Sequence, residues 1–181
     1  GKVQFIFSGK AHPHDEPGKA ILQKINNIAR ELGAELPVVF IENYNMGPAK
    51  FITSGVDLWL NTPIRPREAS GTSGMKCVHN GVMNFSVLDG WWIEGCIEGK
   101  TGWAIGPEPT ENGLVEYNEA EDAIDLYNKL EEKIIPAYYT DRKRWISMMK
   151  FAIAVNASYF NTHRVVHEYC EKAYGTVFCG H

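Results

Sequence analysis

VDLWLNTPIRPREASGTSGMKCVHNGVMNFSVL, residues 56–88, contains a complete strand–loop–helix–strand unit, and its reading sets the fold of the chain. Val56 to Leu60 is a short apolar run of strand length that stops at Asn61 and the basic loop PIRPR (63–67), and Met83 to Leu88 is a second such run. Between them, positions 68–76 carry one carboxylate (Glu68), three hydroxyl residues, two glycines and Lys76, just ahead of a short predicted helix. That order suits an anion site. Small residues let backbone N–H groups approach an oxyanion, and a helix start adds aligned dipoles and unpaired amides. A Gly/Ser/Thr run of this kind is also the make-up of an ordinary surface loop, so the surrounding elements must decide.

Working outward, Val3 to Ser8 (VQFIFS) reads as a buried strand ending in the charged loop GKAHPHDEPGK (9–19), with Pro17 where a helix can begin. Ile21, Ile25, Ile28 and Leu32 recur at helical spacing up to the stop at Gly33. Pro37 to Ile41 is the next strand, opening onto Glu42, Asn43, Tyr44 and Asn45, and Ala49 to Ser54 reads as a short helix ended by Gly55. The alternation predicts an α/β fold, a Rossmann-like doubly wound parallel sheet with right-handed crossovers. The loops after its strands line the ligand crevice, which places residues 68–76 at that edge. GWAIG around Trp103 is expected as a short extended segment on the far side of the sheet, and the adjacent Trp91 and Trp92 as core packing in preference to a sugar-stacking platform. Helices follow: 121–135, with Ala123, Tyr127, Leu130 and Ile134 on one stripe and Pro136 closing it, then 145–155 and 159–174. The organisation expected is a Rossmann-like domain over residues 1–120, helices packing on it over 121–174, and a tail over 175–181.

Composition narrows the function classes. A chain of 181 residues with 44% hydrophobic content can build a real core. A net charge of -4 gives no electrostatic support for nucleic acid or an anionic membrane as partner. No apolar run is long enough to span a bilayer or serve as a signal peptide, which makes a cytoplasmic protein the expectation. Cys77, Cys96, Cys170 and Cys179 show neither a CxxC pair nor zinc spacing and read as reduced thiols, and the sequon Asn156-Ala157-Ser158 reads as accidental. His12 and His14 lack a third ligand at a workable spacing, and His163 and His167 form only an isolated pair four apart, so no metal site is expected.

Lys76 remains. Beside a phosphate it is either a charge clamp or a Schiff-base lysine bonded to a cofactor aldehyde whose phosphate the loop grips. The residues alone leave both open.

SGKAHPHDEPGK (8–19), ENYNM (42–46), EASGTSGMK (68–76) followed by NG, and LDGWW (88–92) occur in an order and spacing that resemble the carboxyl-terminal domain of α-glucan phosphorylases, the glycogen, starch and maltodextrin family. The resemblance implies the carboxyl-terminal half of a GT-B glycosyltransferase, two Rossmann-like domains with the active site in the cleft between them. It implies pyridoxal 5'-phosphate on Lys76 as Schiff-base anchor, with Gly71, Thr72 and Ser73 at the cofactor phosphate and Tyr44 and Asn45 near the pyridine ring. It also implies that Glu68, Ala69, Ser70 and Gly71 hold the hydroxyls of a terminal glucose. Inorganic phosphate and an α-1,4-glucan would be the substrates and glucose 1-phosphate the product, with retention, in a parent enzyme that is a homo-oligomer.

Departures from the pattern are informative. SGMK where animal-type members read GNMK, and Asn45 where they have arginine, resemble the shorter bacterial and archaeal branch. Cys77 and His79 stand where apolar residues are expected. The family's basic phosphate-binding residues and its amino-terminal domain are missing, so the chain is expected to be a fragment, catalytically silent alone. Two alternatives stand beside this reading. A nucleotide-sugar glucosyltransferase of the glycogen or starch synthase type commonly carries a second glutamate eight positions after the first, and here Lys76 holds that place after Glu68. The other is a non-catalytic glucan-binding domain using Trp91, Trp92 and Trp103.

Overall fold

The computed structural model describes residues 3–110, 113 and 117–175. The last cysteine, Cys179, and most of the 175–181 tail lie outside the described residues. The chain divides into two units, one through Ile52 and one from Thr53.

In the first unit, β1 (Phe5–Ser8) pairs in parallel with β2 (Val38–Ile41), Phe5 opposite Val38 and Ser8 opposite Ile41. The crossover is α1 (Glu16–Leu32), which begins earlier than its apolar spacing alone predicts. Asp15 caps it by accepting from the Gly18 amide, Pro17 occupies the first turn, and Gly33 ends it at φ 52°. After β2 comes α2 (Met46–Gly55), which continues across Ile52 to Gly55.

In the second unit β3 (Leu58–Asn61), β4 (Met83–Val87) and β5 (Gly102–Ile105) form a parallel sheet in that order. Asn61 lies opposite Ser86 and Val87 opposite Ile105. All five residues of the central strand β4 are buried, as expected of a parallel strand covered on both faces. The GWAIG segment is therefore a strand paired directly to β4, not a separate segment across the sheet. Between β3 and β4 runs α3 (Thr72–His79), and a single-turn helix, α4 (Trp92–Gly95), precedes β5. Trp91, Trp92 and Trp103 are 6%, 0% and 2% exposed, which makes them core and removes the stacking platform.

The helices that follow depart from the sequence reading in two respects. α5 (Glu119–Lys129) passes through a π-helical turn (Leu130–Ile134) into α6 (Ile135–Thr140), so Pro136 does not end the helical run. The Ile135 amide bonds the Leu130 carbonyl in the wider i→i+5 pattern, and Pro136 falls in the first turn of α6, where a missing N–H costs little. Tyr127, expected on the inner stripe, is 62% exposed, whereas the charged Asp122 is buried. Leu126 and Leu130 pack on the core and Ile134 is within it. α7 (Arg142–Ala152) contributes Trp145, Met148 and Ala152 to the core, and a second π turn (Ile153–Ala157) follows. The sequon residue Asn156 is buried in that turn, its amide donating to the Gly95 carbonyl at 3.0 Å. α8 (Thr162–Tyr169) buries no residue. Among the described residues no helix is long and apolar enough to cross a membrane.

Candidate functional site

The loop from Asn61 to Gly71 leaves the carboxyl end of β3 and is clasped by the loop that leaves β4. The Glu68 amide donates to Asp89 Oδ2 at 2.9 Å, the Gly90 amide to Asp89 Oδ1 at 2.9 Å, and the Trp91 amide to the Ser70 carbonyl at 2.9 Å. Asp89 is only 4% exposed, so its carboxyl oxygens are satisfied by these amides in place of water. Gly90 is required at its place. It has φ 53°, and a Cβ there would lie 2.6 Å from the Ser70 carbonyl oxygen.

Asn61 Nδ2 donates to Glu68 Oε2 at 2.9 Å and Oε1 at 3.2 Å. The carboxylate lies against the backbone of Gly71, the left-handed residue (φ 83°) that starts α3, where a Cβ would sit 2.1 Å from Oε1. No side chain caps the helix start. The amides of the first turn, with the exposed Thr72 and the half-buried Ser73, therefore present donors that no side chain among the described residues caps. Gly74 seats α3 on the core: a Cβ there would meet Asn84 Oδ1 at 2.6 Å and Trp91 Nε1 at 2.9 Å.

Lys76 is exposed and its Nζ lies 3.4 Å from Thr72 Oγ1, one helical turn back. Among the described residues no carboxylate pairs with it. An amine free of ion pairs, two hydroxyls and uncapped amides on one helical turn fit a phosphate-bearing aldehyde such as pyridoxal 5'-phosphate. Cys77, next along α3, is fully buried, and burial pushes its thiol up to about 12, partly opposed by the Lys76 charge. It serves as the small apolar residue expected at that position. His79 stays exposed, with Nε2 3.0 Å from the Phe160 carbonyl oxygen.

Glu68, Ala69, Ser70, Gly71, Thr72, Ser73 and Lys76 thus share one loop and helix start in the second unit. Tyr44 and Asn45 belong to the first unit, between β2 and α2. Asn45 is engaged locally, its Oδ1 accepting from the Gly47 amide and its Nδ2 donating to the Asn43 carbonyl, both at 2.9 Å. Among the described residues no cluster of three or more His, Cys, Asp or Glu could hold a metal ion. The sequence reading missed Asn61 and Asp89 as parts of the site. The signal was present, since each is the polar residue that ends or closely follows an apolar strand at the ligand edge of a parallel sheet.

A second buried device anchors this edge. Arg65, three residues before Glu68, donates from Nη2 to both oxygens of Asp122 on α5, at 2.7 and 2.9 Å. Asp125, one turn on, accepts from the Gly106 amide and from Lys129, which also donates to the Ala104 carbonyl. The loops after β3 and β5 are both pinned to one helix.

A sequence model of the carbohydrate phosphorylase family matches residues 2–102. The chain belongs to that family. Among relatives of this phosphorylase chain, the maltodextrin phosphorylase of Thermococcus litoralis is 51% identical over 172 residues, 95% of this chain and 20% of that protein. The glycogen phosphorylase of Aquifex aeolicus is 46% identical over 180 residues, 97% of this chain and 25% of its own length. The glycogen phosphorylase of Mycobacterium tuberculosis is 36% identical over 179 residues, 95% of this chain and 20% of that protein. The chain therefore spans a fifth to a quarter of the length of these phosphorylases. The family match sets aside the synthase-type transferase, and the burial of Trp91, Trp92 and Trp103 takes away the surface on which the binding-domain alternative relied.

Proposed function

We propose that this chain forms one wall of the active-site cleft of a pyridoxal-phosphate-dependent α-glucan phosphorylase, which splits the terminal α-1,4-linked glucose with inorganic phosphate to give glucose 1-phosphate. The observation that carries the reading is the joint placement of Glu68 and Lys76 on one rigid loop and helix start, eight residues apart, with uncapped amides between them. Lys76 would hold the cofactor through its amine, and Thr72, Ser73 and the amides following Gly71 would donate to its phosphate. When bound, the cofactor supplies a phosphate group able to exchange a proton with the substrate phosphate. Glu68 would accept hydroxyl hydrogens of the terminal glucose, the backbone of Ala69, Ser70 and Gly71 completing that contact. Donors fixed before the sugar arrives need no reorganisation during reaction, which is how such a loop contributes to rate. The opposite wall of the cleft is assigned to a part of the polypeptide outside these residues, in a cytoplasmic homo-oligomer.

Mixing the chain with pyridoxal phosphate should produce an absorbance band that Lys76→Ala abolishes. A band that survives the substitution removes Lys76 from this role. On the same reading the 181-residue chain alone releases no glucose 1-phosphate from maltodextrin and phosphate, and measurable release refutes the one-wall assignment.

A further inference from the structure

We propose that Asn61 is a positioning residue of the sugar site, the group that fixes the orientation of the Glu68 carboxylate. This rests on the reading of Glu68 as the acceptor for glucose hydroxyls. Asn61 is the last residue of β3 and stands opposite Ser86 on the buried central strand, so its Cα is held by the sheet and not by the loop it serves. Its amide nitrogen faces three acceptors: the two Glu68 oxygens and Ser86 Oγ at 3.3 Å. The Ser86 hydroxyl gives its own hydrogen to the Val87 carbonyl at 3.0 Å and is left to accept from Asn61. With an acceptor on each side, the amide nitrogen and not its oxygen must point at Glu68. One N–H is spent on the serine and the other is shared by the two carboxylate oxygens.

Glu68 is thereby held at both ends. Its backbone amide is tied to the buried Asp89 and its carboxylate to Asn61, while Gly71 closes over Oε1. Asn61 supplies one N–H to a group with about four lone-pair sites, which leaves acceptor capacity for sugar hydroxyls. A neutral donor does this without placing a countercharge that would compete with the sugar. Aspartate at the same place would set one carboxylate against another, and alanine would free a side chain with three rotatable bonds.

The test is a double-mutant cycle in the whole polypeptide that carries this chain, loaded with cofactor, reading kcat/KM for phosphorolysis of maltodextrin. Asn61→Ala should lower it by ~10–100-fold, the scale of a misplaced contact group. Glu68→Ala should lower it at least as far, and the double variant should fall no further than Glu68→Ala, because Asn61 acts only through that carboxylate. Asn61→Asp adds a readout that packing does not move. An aspartate can donate to Glu68 only while the two carboxyls share a proton, so its kcat/KM relative to the unsubstituted enzyme should climb as pH falls. Losses that add in the cycle, an Asn61→Ala enzyme within twofold of the original while Glu68→Ala is crippled, or a ratio for Asn61→Asp that is flat with pH would each overturn the proposal. Full activity in Glu68→Ala would instead overturn the assignment of Glu68, and the proposal with it. Should Asn61→Ala fail to fold, the Asn61→Asp pH ratio decides alone.

Discussion

Asp122→Ala should destabilise the second unit by several kcal/mol. The Arg65 side chain is 1% exposed and that of Asp122 8%, and Nε and Nη1 of Arg65 have no hydrogen-bond partner among the described residues. The two bonds to Asp122 from Nη2 are therefore the compensation this buried cation has in the structure. Deleting the carboxylate leaves it uncompensated, at a cost of about 3–5 kcal/mol. With a urea m-value of about 2 kcal/mol/M, the unfolding midpoint should drop by ~1.5–2.5 M. The converse substitution, Arg65→Met, should cost less. Asp122 sits in the first turn of α5, where the positive end of the helix dipole partly compensates an unpartnered carboxylate. Replacing both, as Arg65→Met with Asp122→Leu, should recover most of the loss, since apolar replacement of a buried pair is often nearly neutral. Tryptophan fluorescence during urea titration is a selective probe, because all five tryptophans, Trp59, Trp91, Trp92, Trp103 and Trp145, lie in the unit from Thr53. An Asp122→Ala loss under ~1 kcal/mol, or a double variant less stable than Asp122→Ala, would refute the reasoning, because either means the pair is not desolvated as described.

Other perturbations test other parts of the molecule. Gly90→Ala must push the Ser70 carbonyl away from a Cβ at 2.6 Å and adopt a left-handed backbone at ~1–2 kcal/mol. A lower urea midpoint is expected and, on the proposed function, a loss of glucan phosphorolysis in the whole polypeptide; unchanged values would show that the clasp between the two loops is not needed. Thiol labelling at pH 8 followed by peptide mapping should modify the exposed Cys170 and spare Cys77 and Cys96, whose burial pushes each thiol up to about 12. Because these two groups lose their protons at a higher pH folded than unfolded, their contribution is fully present below pH 9 and is lost as pH rises from 9.0 toward about 12. Urea midpoints measured across that window should decline, and less steeply in Cys77→Ala. Secretion of the chain through a glycosylating host should leave Asn156 unmodified, because its amide is buried against Gly95, and a glycan found there would contradict that placement.

The order of strands and helices was legible in the sequence because each strand is a short apolar run ended by polar residues or glycine, and α1 carries its own periodicity and stop. The place of the EASGTSGMK stretch was legible as well, since the alternation of strands and helices puts it after β3 at the carboxyl edge of a parallel sheet. Periodicity failed where the inner face of a helix is charged. Asp122 looks like a solvent residue until Arg65, 57 positions earlier in the chain, is found against it, and Tyr127 is turned outward as a result. Pro136 looked like a terminator because local rules cannot anticipate a π-helical turn that restarts the helix around it.

By itself the sequence determined the α/β alternation, which depends on neighbours within about one loop length, and the family, which rests on the order of short motifs along the chain. Only the tertiary structure decided which residues hold Glu68 in place. Asn61, Ser86 and Asp89 come from the ends of two strands that are brought side by side by pairing across the sheet, and no spacing along the chain encodes a hydrogen bond between side chains that meet only once the strands are in register.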